Sequence, residues 1–314
     1  MKAFALTAAD QPAQLVDLPH PEPGDDRIVV RVKAASLNGF DLFQASGRLA
    51  SMIPHEYPAV VGRDFAGVVE AVGSAWTDVE VGDEVLGHVP GLPPLHAGSF
   101  AELVAGPSLV IAGKPPELSF EAAAAIPLAA STALASVDAI GVVPNESVLI
   151  VGATGGVGTF AVQLAAQRGA RVIATARGDE EAALVRSLGA TEIVDYGEPG
   201  LVDRLREADP DGVAALIDLV NRGDDFAGMA TLVRDGGRAA TTLSTADVDA
   251  LAARGVTATN VRGMTTPEVL AGFADDAAAG RLRVTIQTSY ALADVEAAIQ
   301  AFSAGTRGKI ALTV

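Results

Sequence analysis

The stretch Ser147–Arg177, SVLIVGATGGVGTFAVQLAAQRGARVIATAR, places a glycine-rich turn between an apolar run and an amphipathic helix, then returns to a second apolar run. The continuous apolar residues 148–151 are typical of a parallel strand covered on both faces. Ala153, Gly155 and Gly158 match a G-x-G-x-x-G-type turn, whose missing side chains let the backbone approach a pyrophosphate. The segment therefore predicts a dinucleotide site, with the anion at the start of the helix.

The alternation of strands and helices continues beyond this segment. Strands are predicted at 148–151, 171–176, 191–195, 213–219, 237–242 and 256–261. The intervening helices are predicted near 156–168, 180–188, 199–207, 224–233 and 246–253, and Gly169 is the expected C-cap of the first of them. This pattern indicates an α/β fold with a doubly wound parallel sheet.

The two ends of the chain have a different pattern. Residues 1 to about 115 contain short alternating segments and many turn signals, which indicates a β-rich domain. After residue 265 we expect a helix over 267–279, an alternating strand, a helix over 292–303 and a closing strand over 309–314.

Composition narrows the class of partner. The chain has 314 residues, of which 49% are hydrophobic, and a formal net charge of −17. A protein surface with this excess of negative charge would repel nucleic acid and anionic membranes. Cysteine is absent, which excludes disulfides and thiolate metal sites. We find no signal peptide and no stretch suited to a membrane span, and therefore expect a soluble, cytoplasmic protein.

Further motifs succeed one another along the whole chain. They are Asn38–Asp41 (NGFD), Gly62–Gly67 (GRDFAG), Val81–Val85 (VGDEV), Gly98–Glu102 (GSFAE), Pro127–Ala133 (PLAASTA), Leu188–Ala190 (LGA), Val194–Tyr196 (VDY), Asp235–Arg238 (DGGR) and Gly308–Val314 (GKIALTV). With the glycine turn, this ordered set resembles the zinc-independent medium-chain dehydrogenase/reductases of the quinone oxidoreductase group, to which zeta-crystallin belongs.

The resemblance implies a GroES-like β-rich catalytic domain, built from both chain ends, and a Rossmann cofactor domain inserted between them. We expect the first part of the catalytic domain at 1–118, the NADPH-binding domain at 119–264 and the returning segment at 265–314. A homodimer paired through the strand at 256–261 is also implied.

The metal ligands of the zinc-dependent members are missing. Those members have a cysteine in place of Asn38, a His-Glu pair near Arg63-Asp64 and a four-cysteine loop. The four histidines are scattered, mostly in loop-like segments near prolines, which favours solvated side chains. A zinc site of His88, His96 and Asp64 is the weaker alternative. We therefore predict no metal, and the chemistry rests on the nicotinamide.

The end of the second strand bears on the choice of cofactor. Arg177 lies 22 residues beyond Gly155, and its guanidinium suits a 2′-phosphate, which favours NADPH over NADH. Glu181 stands where the family has a second phosphate-binding lysine, and Asp179 could instead reach the ribose. Alternatively, residues 179–181 are acids that complement the helix dipole.

The resemblance, together with the predicted strand ends, assigns the site residues. The expected cofactor contacts are Thr132, Gly155, Gly156, Val157, Gly158, Thr175, Arg177, Tyr196, Val220, Leu243, Ser244 and Lys309. Asn38 is expected beside the nicotinamide and substrate, although it could also be a turn residue next to Gly39. Phe40 and Phe43 are expected in an apolar substrate pocket. Asp41 and Asp64 are expected to stabilise the fold through buried hydrogen bonds.

One departure from the family affects the reaction. Many relatives carry a tyrosine and an arginine where this chain has Phe43 and Ala45. We therefore hypothesise that Asn38 donates a hydrogen bond to the developing oxyanion and that water supplies the proton. The predicted activity is NADPH-dependent reduction of a quinone or a small α,β-unsaturated carbonyl compound. The alternatives are an enoyl reductase of a polyketide or secondary-metabolite pathway, and a non-catalytic NADPH-binding protein.

Overall fold

The computed structural model of the chain describes residues 1–207 and 209–314. Its first half contains β1 (Lys2–Leu6), β2 (Gln14–Asp17), β3 (Ile28–Ser36), α1 (Gly39–Ala45), β4 (Ala59–Val60), β5 (Asp64–Val72), β6 (Glu84–His88), β7 (Leu103–Gly106), β8 (Val110–Gly113), α2 (Phe120–Ala124) and α3 (Pro127–Ile140). The remaining elements are β9 (Ser147–Val151), α4 (Gly156–Gln167), β10 (Arg171–Ala176), α5 (Gly178–Ser187), β11 (Glu192–Asp195), α6 (Leu201–Ala208), β12 (Val213–Asp218), α7 (Gly223–Ala230), β13 (Val233–Thr241), α8 (Val248–Ala253), β14 (Thr257–Asn260), α9 (Pro267–Ala278), β15 (Ile286–Ala291), α10 (Val295–Ser303) and β16 (Lys309–Thr313).

The chain divides into two compact units. One combines Met1–Leu128 with Thr265–Val314, and the other is Ala129–Met264. The first boundary differs from the one predicted at residue 118. Residues 119–128 belong to the first unit because α2 packs against β3, β5, β6 and β16, with Ala123 and Ala124 buried.

The first unit is β-rich. One sheet has the order β15-β16-β3-β5-β6-β8, with β7 also paired to β3, and a smaller sheet has the order β2-β1-β4. Alternate residues of β3 and β5 pack into a shared core around Phe4, Phe65 and Phe100. β16, from the end of the chain, lies antiparallel to β3, so Ala311 pairs with Ser36. This register brings the C-terminal segment beside Asn38.

The second unit has a parallel sheet with the order β11-β10-β9-β12-β13-β14. In sequence order within the unit this is 3-2-1-4-5-6, the doubly wound order of dinucleotide-binding domains. Every residue of β9 is buried, as expected for a strand covered on both faces. The predicted α/β fold class, with GroES-like and Rossmann parts, is confirmed.

Two local predictions need correction. The helix predicted to reach residue 233 ends at Ala230, and β13 begins at Val233 rather than 237. Leu232 and Val233 are buried against the core of this unit, so the chain re-enters the sheet early. Gly169 does follow α4 as expected, with a φ of 82°. Among the described residues no helix is both long and apolar enough to span a bilayer.

Candidate active site

The glycine turn joins β9 to α4. Gly155 is the N-cap residue of α4 and supplies no side-chain cap, so the N–H groups of Gly156, Val157 and Gly158 begin the helix without one. A Cβ on Gly158 would lie 2.1 Å from the carbonyl oxygen of Gly152, so only glycine fits there. The turn thus has the close backbone packing and the N–H donors that a pyrophosphate requires.

Neighbouring strands hold this turn in place. The hydroxyl of Thr175 on β10 accepts a hydrogen bond of 3.1 Å from the Gly152 N–H. Gly152 has a φ of 81°, and a Cβ there would lie 2.7 Å from a methyl group of Val220, after β12. Thr175 is 2% exposed, so it positions the turn from beneath, whereas Val220 is 56% exposed beside it.

Arg177 and Tyr196 come together at the carboxyl ends of β10 and β11. The guanidinium of Arg177 lies 5.6 Å from the centroid of the Tyr196 ring. Glu181 accepts a hydrogen bond of 2.7 Å from the Arg177 N–H. Burial, then the charge and hydrogen bond of Glu181, raise the pKa of the Tyr196 phenol. The predicted 2′-phosphate contacts are therefore adjacent, with a buried carboxylate beside them.

The acids that follow Arg177 lie in the first turn of α5, as the dipole-based alternative expects. A different carboxylate, Asp195, accepts the N–H groups of Gly178 and Gly197 at 2.9 and 2.7 Å. These bonds lower the pKa of Asp195. Asp195 thereby fixes the loop that carries Arg177.

The remaining predicted cofactor contacts of this unit lie on α3 and after β13. Thr132 is 8% exposed and packs closely against Gly263. A Cβ on Gly263 would lie 2.1 Å from the hydroxyl oxygen of Thr132. Leu243 and Ser244 follow β13, and Ser244 has a positive φ of 53°. Their contact with a cofactor stays a prediction.

In the first unit, Asn38 is the N-cap residue of α1 and is 8% exposed. Its side-chain oxygen Oδ1 accepts a hydrogen bond of 2.6 Å from the Lys309 ammonium, and Nδ2 donates one of 3.0 Å to Asp64. Reversing the amide would set a cation against NH₂ and a carboxylate against oxygen, so this orientation is fixed. The second Nδ2 proton makes only a 3.5 Å contact with the Ser36 carbonyl. Asn38 is thus both a helix cap and a donor with one weakly used proton.

Asp64 is the centre of this cluster and is fully buried. Its Oδ2 binds Asn38, its Oδ1 accepts a hydrogen bond of 2.8 Å from His88 Nδ1, and the Leu128 N–H lies 3.2 Å from both oxygens. The Lys309 ammonium is 3.8 Å from Oδ2. The role expected for Asp64, a buried hydrogen-bonding group, is what the structure shows.

Asp41 lies next to this centre. Its Oδ2 accepts the Asn38 N–H at 2.8 Å, whereas Oδ1 has no hydrogen-bond partner among the described residues. Burial raises the pKa of Asp41 to about 7, and the charge of Arg63 opposes that rise. The guanidinium of Arg63 is itself buried, donates to Gln44 at 2.9 Å and lies 4.8 Å from the Phe40 ring centroid.

Lys309 and the two phenylalanines were assigned from the resemblance. Lys309 is 2% exposed, and its ammonium donates to the Leu37 carbonyl at 2.8 Å and to Asn38. It therefore positions Asn38, which its assignment as a cofactor contact did not anticipate. Phe40 is half-buried beneath Arg63, whereas Phe43 is 37% exposed on α1. Their place in a substrate pocket stays a prediction.

The interpretation of His88 as a solvated loop side chain was wrong. His88 ends β6 directly opposite Asp64 on β5, and its side chain is 12% exposed. His96 is separate, because its Nδ1 contacts the Glu56 carbonyl at 3.3 Å on an exposed loop. Among the described residues no group of three or more His, Cys, Asp or Glu side chains could hold a metal ion.

Sequence reasoning missed the roles of His88, Lys309 and Glu181. The sequence brings Asp64 and His88 together only as ligands of the alternative zinc site, and their direct hydrogen bond depends on the β5–β6 register. A signal was available for Glu181, which lies four residues after Arg177 at the start of a helix.

Comparison with known proteins gives consistent results for both units. A family model described as a zinc-binding dehydrogenase matches residues 156–265, and one described as an alcohol dehydrogenase GroES-like domain matches residues 24–115. The chain is 33% identical over 222 residues to an NADPH-dependent alkenal/one oxidoreductase of Arabidopsis thaliana, covering 69% of this chain and 55% of that protein. The chain spans 50–63% of the length of the curated relatives that it matches.

Solved structures match along the whole chain. The quinone oxidoreductase of Coxiella burnetii is 30% identical, with a TM-score of 0.88 and coverage of 100% of this chain and 99% of that one. The Escherichia coli quinone oxidoreductase complexed with NADPH is 25% identical, with a TM-score of 0.84 and the same coverage.

Proposed function

Because this chain belongs to the medium-chain dehydrogenase/reductase superfamily, in the group of quinone oxidoreductases, we propose that it is an NADPH-dependent reductase of quinones or small α,β-unsaturated carbonyl compounds. The reaction that we propose needs no metal ion. The names of the relatives favour these acceptors over a polyketide enoyl reductase or a non-catalytic binding protein.

One observation carries the proposal, namely the amide of Asn38 held between Lys309 and Asp64. The ammonium draws electron density toward Oδ1, which makes the Nδ2 protons better donors. The second Nδ2 proton of Asn38, which makes only a long contact with the Ser36 carbonyl, can instead donate a hydrogen bond to a substrate oxygen that gains negative charge. Such a donor suits an enolate or a hydroquinone anion, the charged products of hydride addition.

The residues of the second unit fit NADPH, which supplies the hydride when bound. The Gly155–Gly158 turn offers backbone N–H groups to a pyrophosphate, and Arg177 with Tyr196 offers a cation and a hydroxyl to a 2′-phosphate. Glu181 beside them would reduce, without abolishing, the preference for NADPH over NADH.

Activity on a panel of acceptors tests the proposal. Purified protein is mixed with NADPH and 2-alkenals, cyclic enones or quinones, and both NADPH oxidation and products are measured. Replacing Asn38 by alanine should lower kcat by about 100-fold, the typical cost of losing one oxyanion donor. The control Asn145→Gly removes an exposed amide at a residue with a φ of 68° and should change nothing. A folded Asn38→Ala protein with undiminished kcat would contradict this role.

We further propose a cytoplasmic homodimer. β14 is an edge strand of the parallel sheet and carries no charged residue, which supports pairing with a second copy. Light scattering of the wild type and of a Thr259→Lys variant would test the dimer, which the lysine should weaken. Fractionation of cells that express the tagged chain would test the location.

A further inference from the structure

His88, the partner of Asp64, has no part in the reaction as described so far. His88 faces Asp64 across the β5–β6 ladder, and its Nδ1 lies 2.8 Å from the carboxylate. Because a carboxylate accepts, Nδ1 carries the proton, and Asp64 fixes both the tautomer and the ring orientation. Nε2 forms no hydrogen bond within the described part of the chain.

His88 and Asn38 bind opposite oxygens of the same carboxylate. Asn38 Nδ2 is 3.0 Å from Oδ2 and His88 Nδ1 is 2.8 Å from Oδ1 of Asp64. The imidazole therefore lies no farther from the Asn38 amide than the width of that carboxylate plus its two hydrogen bonds. A substrate oxygen bound by the Asn38 amide would lie in the same neighbourhood. The remaining charged groups of this cluster are Lys309 on β16, Asp41 on α1 and Arg63, which directly precedes β5. The residue opposite His88 on β8 is the apolar Val110.

We propose that His88, oriented by Asp64, donates the proton that completes reduction of an α,β-unsaturated carbonyl compound. The inference rests on the proposed function and adds a proton donor to it. In this proposal His88 takes the place of water, which the sequence suggested as the proton source because Phe43 stands where many relatives have a tyrosine.

Hydride adds to the β-carbon of the acceptor, the carbon–carbon π electrons move to the α-carbon and the oxygen, and the nicotinamide cofactor is the group oxidised. The imidazolium of His88 then gives its Nε2 proton to the α-carbon, and the electron pair of that N–H bond stays on the ring. Water returns a proton to Nε2 before the next turnover.

Quinones and enones make different demands on such a donor. A reduced quinone needs protons only on oxygen, which water supplies quickly, whereas an enolate must be protonated on carbon. Because a positioned general acid contributes about 10²–10⁴-fold, His88→Gln should lower the ratio of enone kcat to quinone kcat by about 100-fold. Glutamine can still donate to Asp64, which limits damage to the fold.

The experiment compares wild type, His88→Gln and His88→Asn, with His96→Gln as a matched control on an exposed loop. Turnover is measured with a 2-methyl enone and a quinone, in D₂O for the enone, and NMR locates the deuterium at the α-carbon. We expect one face to be labelled by wild type and His96→Gln, and both faces by the His88 variants. Thermal melts verify that each variant is folded.

Two results would overturn the inference. The first is an unchanged ratio of kcat values in a folded His88→Gln protein, and the second is deuterium on the same single face in that variant. Either result leaves the proposed function intact if the wild type reduces both acceptors. If the wild type oxidises NADPH with neither acceptor, the proposed function fails and the inference falls with it.

Discussion

Replacing Asp41 by asparagine should remove much of the pH dependence of the free energy of unfolding near neutrality. Asp41 is fully buried at the start of α1, and burial together with the charge of Asp64 raises its pKa from 3.8 to about 7, against the pull of Arg63. Asparagine keeps an oxygen for the Asn38 N–H but cannot ionise.

The direction in which the free energy of unfolding changes with pH follows from proton linkage. With a raised pKa, folded Asp41 holds a proton that the unfolded chain has released, so its contribution is complete below the unfolded pKa and is lost as pH rises through the folded pKa. At about 1.4 kcal/mol per pKa unit, the loss between about pH 5 and about pH 8 is about 3 kcal/mol. The Asp41→Asn protein should therefore lose about 3 kcal/mol less than the wild type over this range.

Urea unfolding of both proteins at several pH values measures this difference. Asp10→Asn is the matched control, since Asp10 is exposed and its φ of 59° suits asparagine equally. Parallel stability curves for wild type and Asp41→Asn would refute the conclusion that burial raises the pKa of Asp41 in the folded protein.

Other substitutions test the remaining contacts. Gly158→Ala should weaken NADPH binding at least about tenfold by calorimetry, because its Cβ would lie 2.1 Å from the Gly152 oxygen; unchanged affinity would contradict the role of the turn. Arg177→Ala should raise KM for NADPH and leave KM for NADH unchanged, and equal changes in both would argue against a 2′-phosphate contact. Lys309→Met should cost about 3–5 kcal/mol in urea unfolding and lower kcat by freeing Asn38, whereas wild-type stability would show that the buried ammonium is dispensable.

The second unit could be predicted closely from its sequence. β9, β10 and β12 are short and largely apolar, and glycines mark several of the turns, so local patterns coincide with the final structure there. β9 and β10 were found almost to the residue for this reason. β13 was not, because the Gly236-Gly237 pair resembles a turn although it lies within a strand.

The cluster around Asp64 could be predicted only in part. Asn38, Asp64 and Lys309 were recognised from motifs, but the motifs are far apart in the chain and do not state which atoms meet. Lys309 reaches Asn38 through the pairing of β16 with β3, and His88 reaches Asp64 through the pairing of β6 with β5. Register, which depends on tertiary packing, decided both contacts. His88 was misinterpreted because the nearby prolines suggested a loop.

The central claim is hydride transfer from NADPH to an enone or quinone without a metal ion. The most direct test is the initial rate of NADPH oxidation by chelator-treated protein with a 2-alkenal and with a quinone, together with identification of the product. We predict acceptor-dependent oxidation that chelation does not change, with a saturated carbonyl compound formed from the alkenal. Oxidation that needs added zinc, or no oxidation with either acceptor, would contradict the claim.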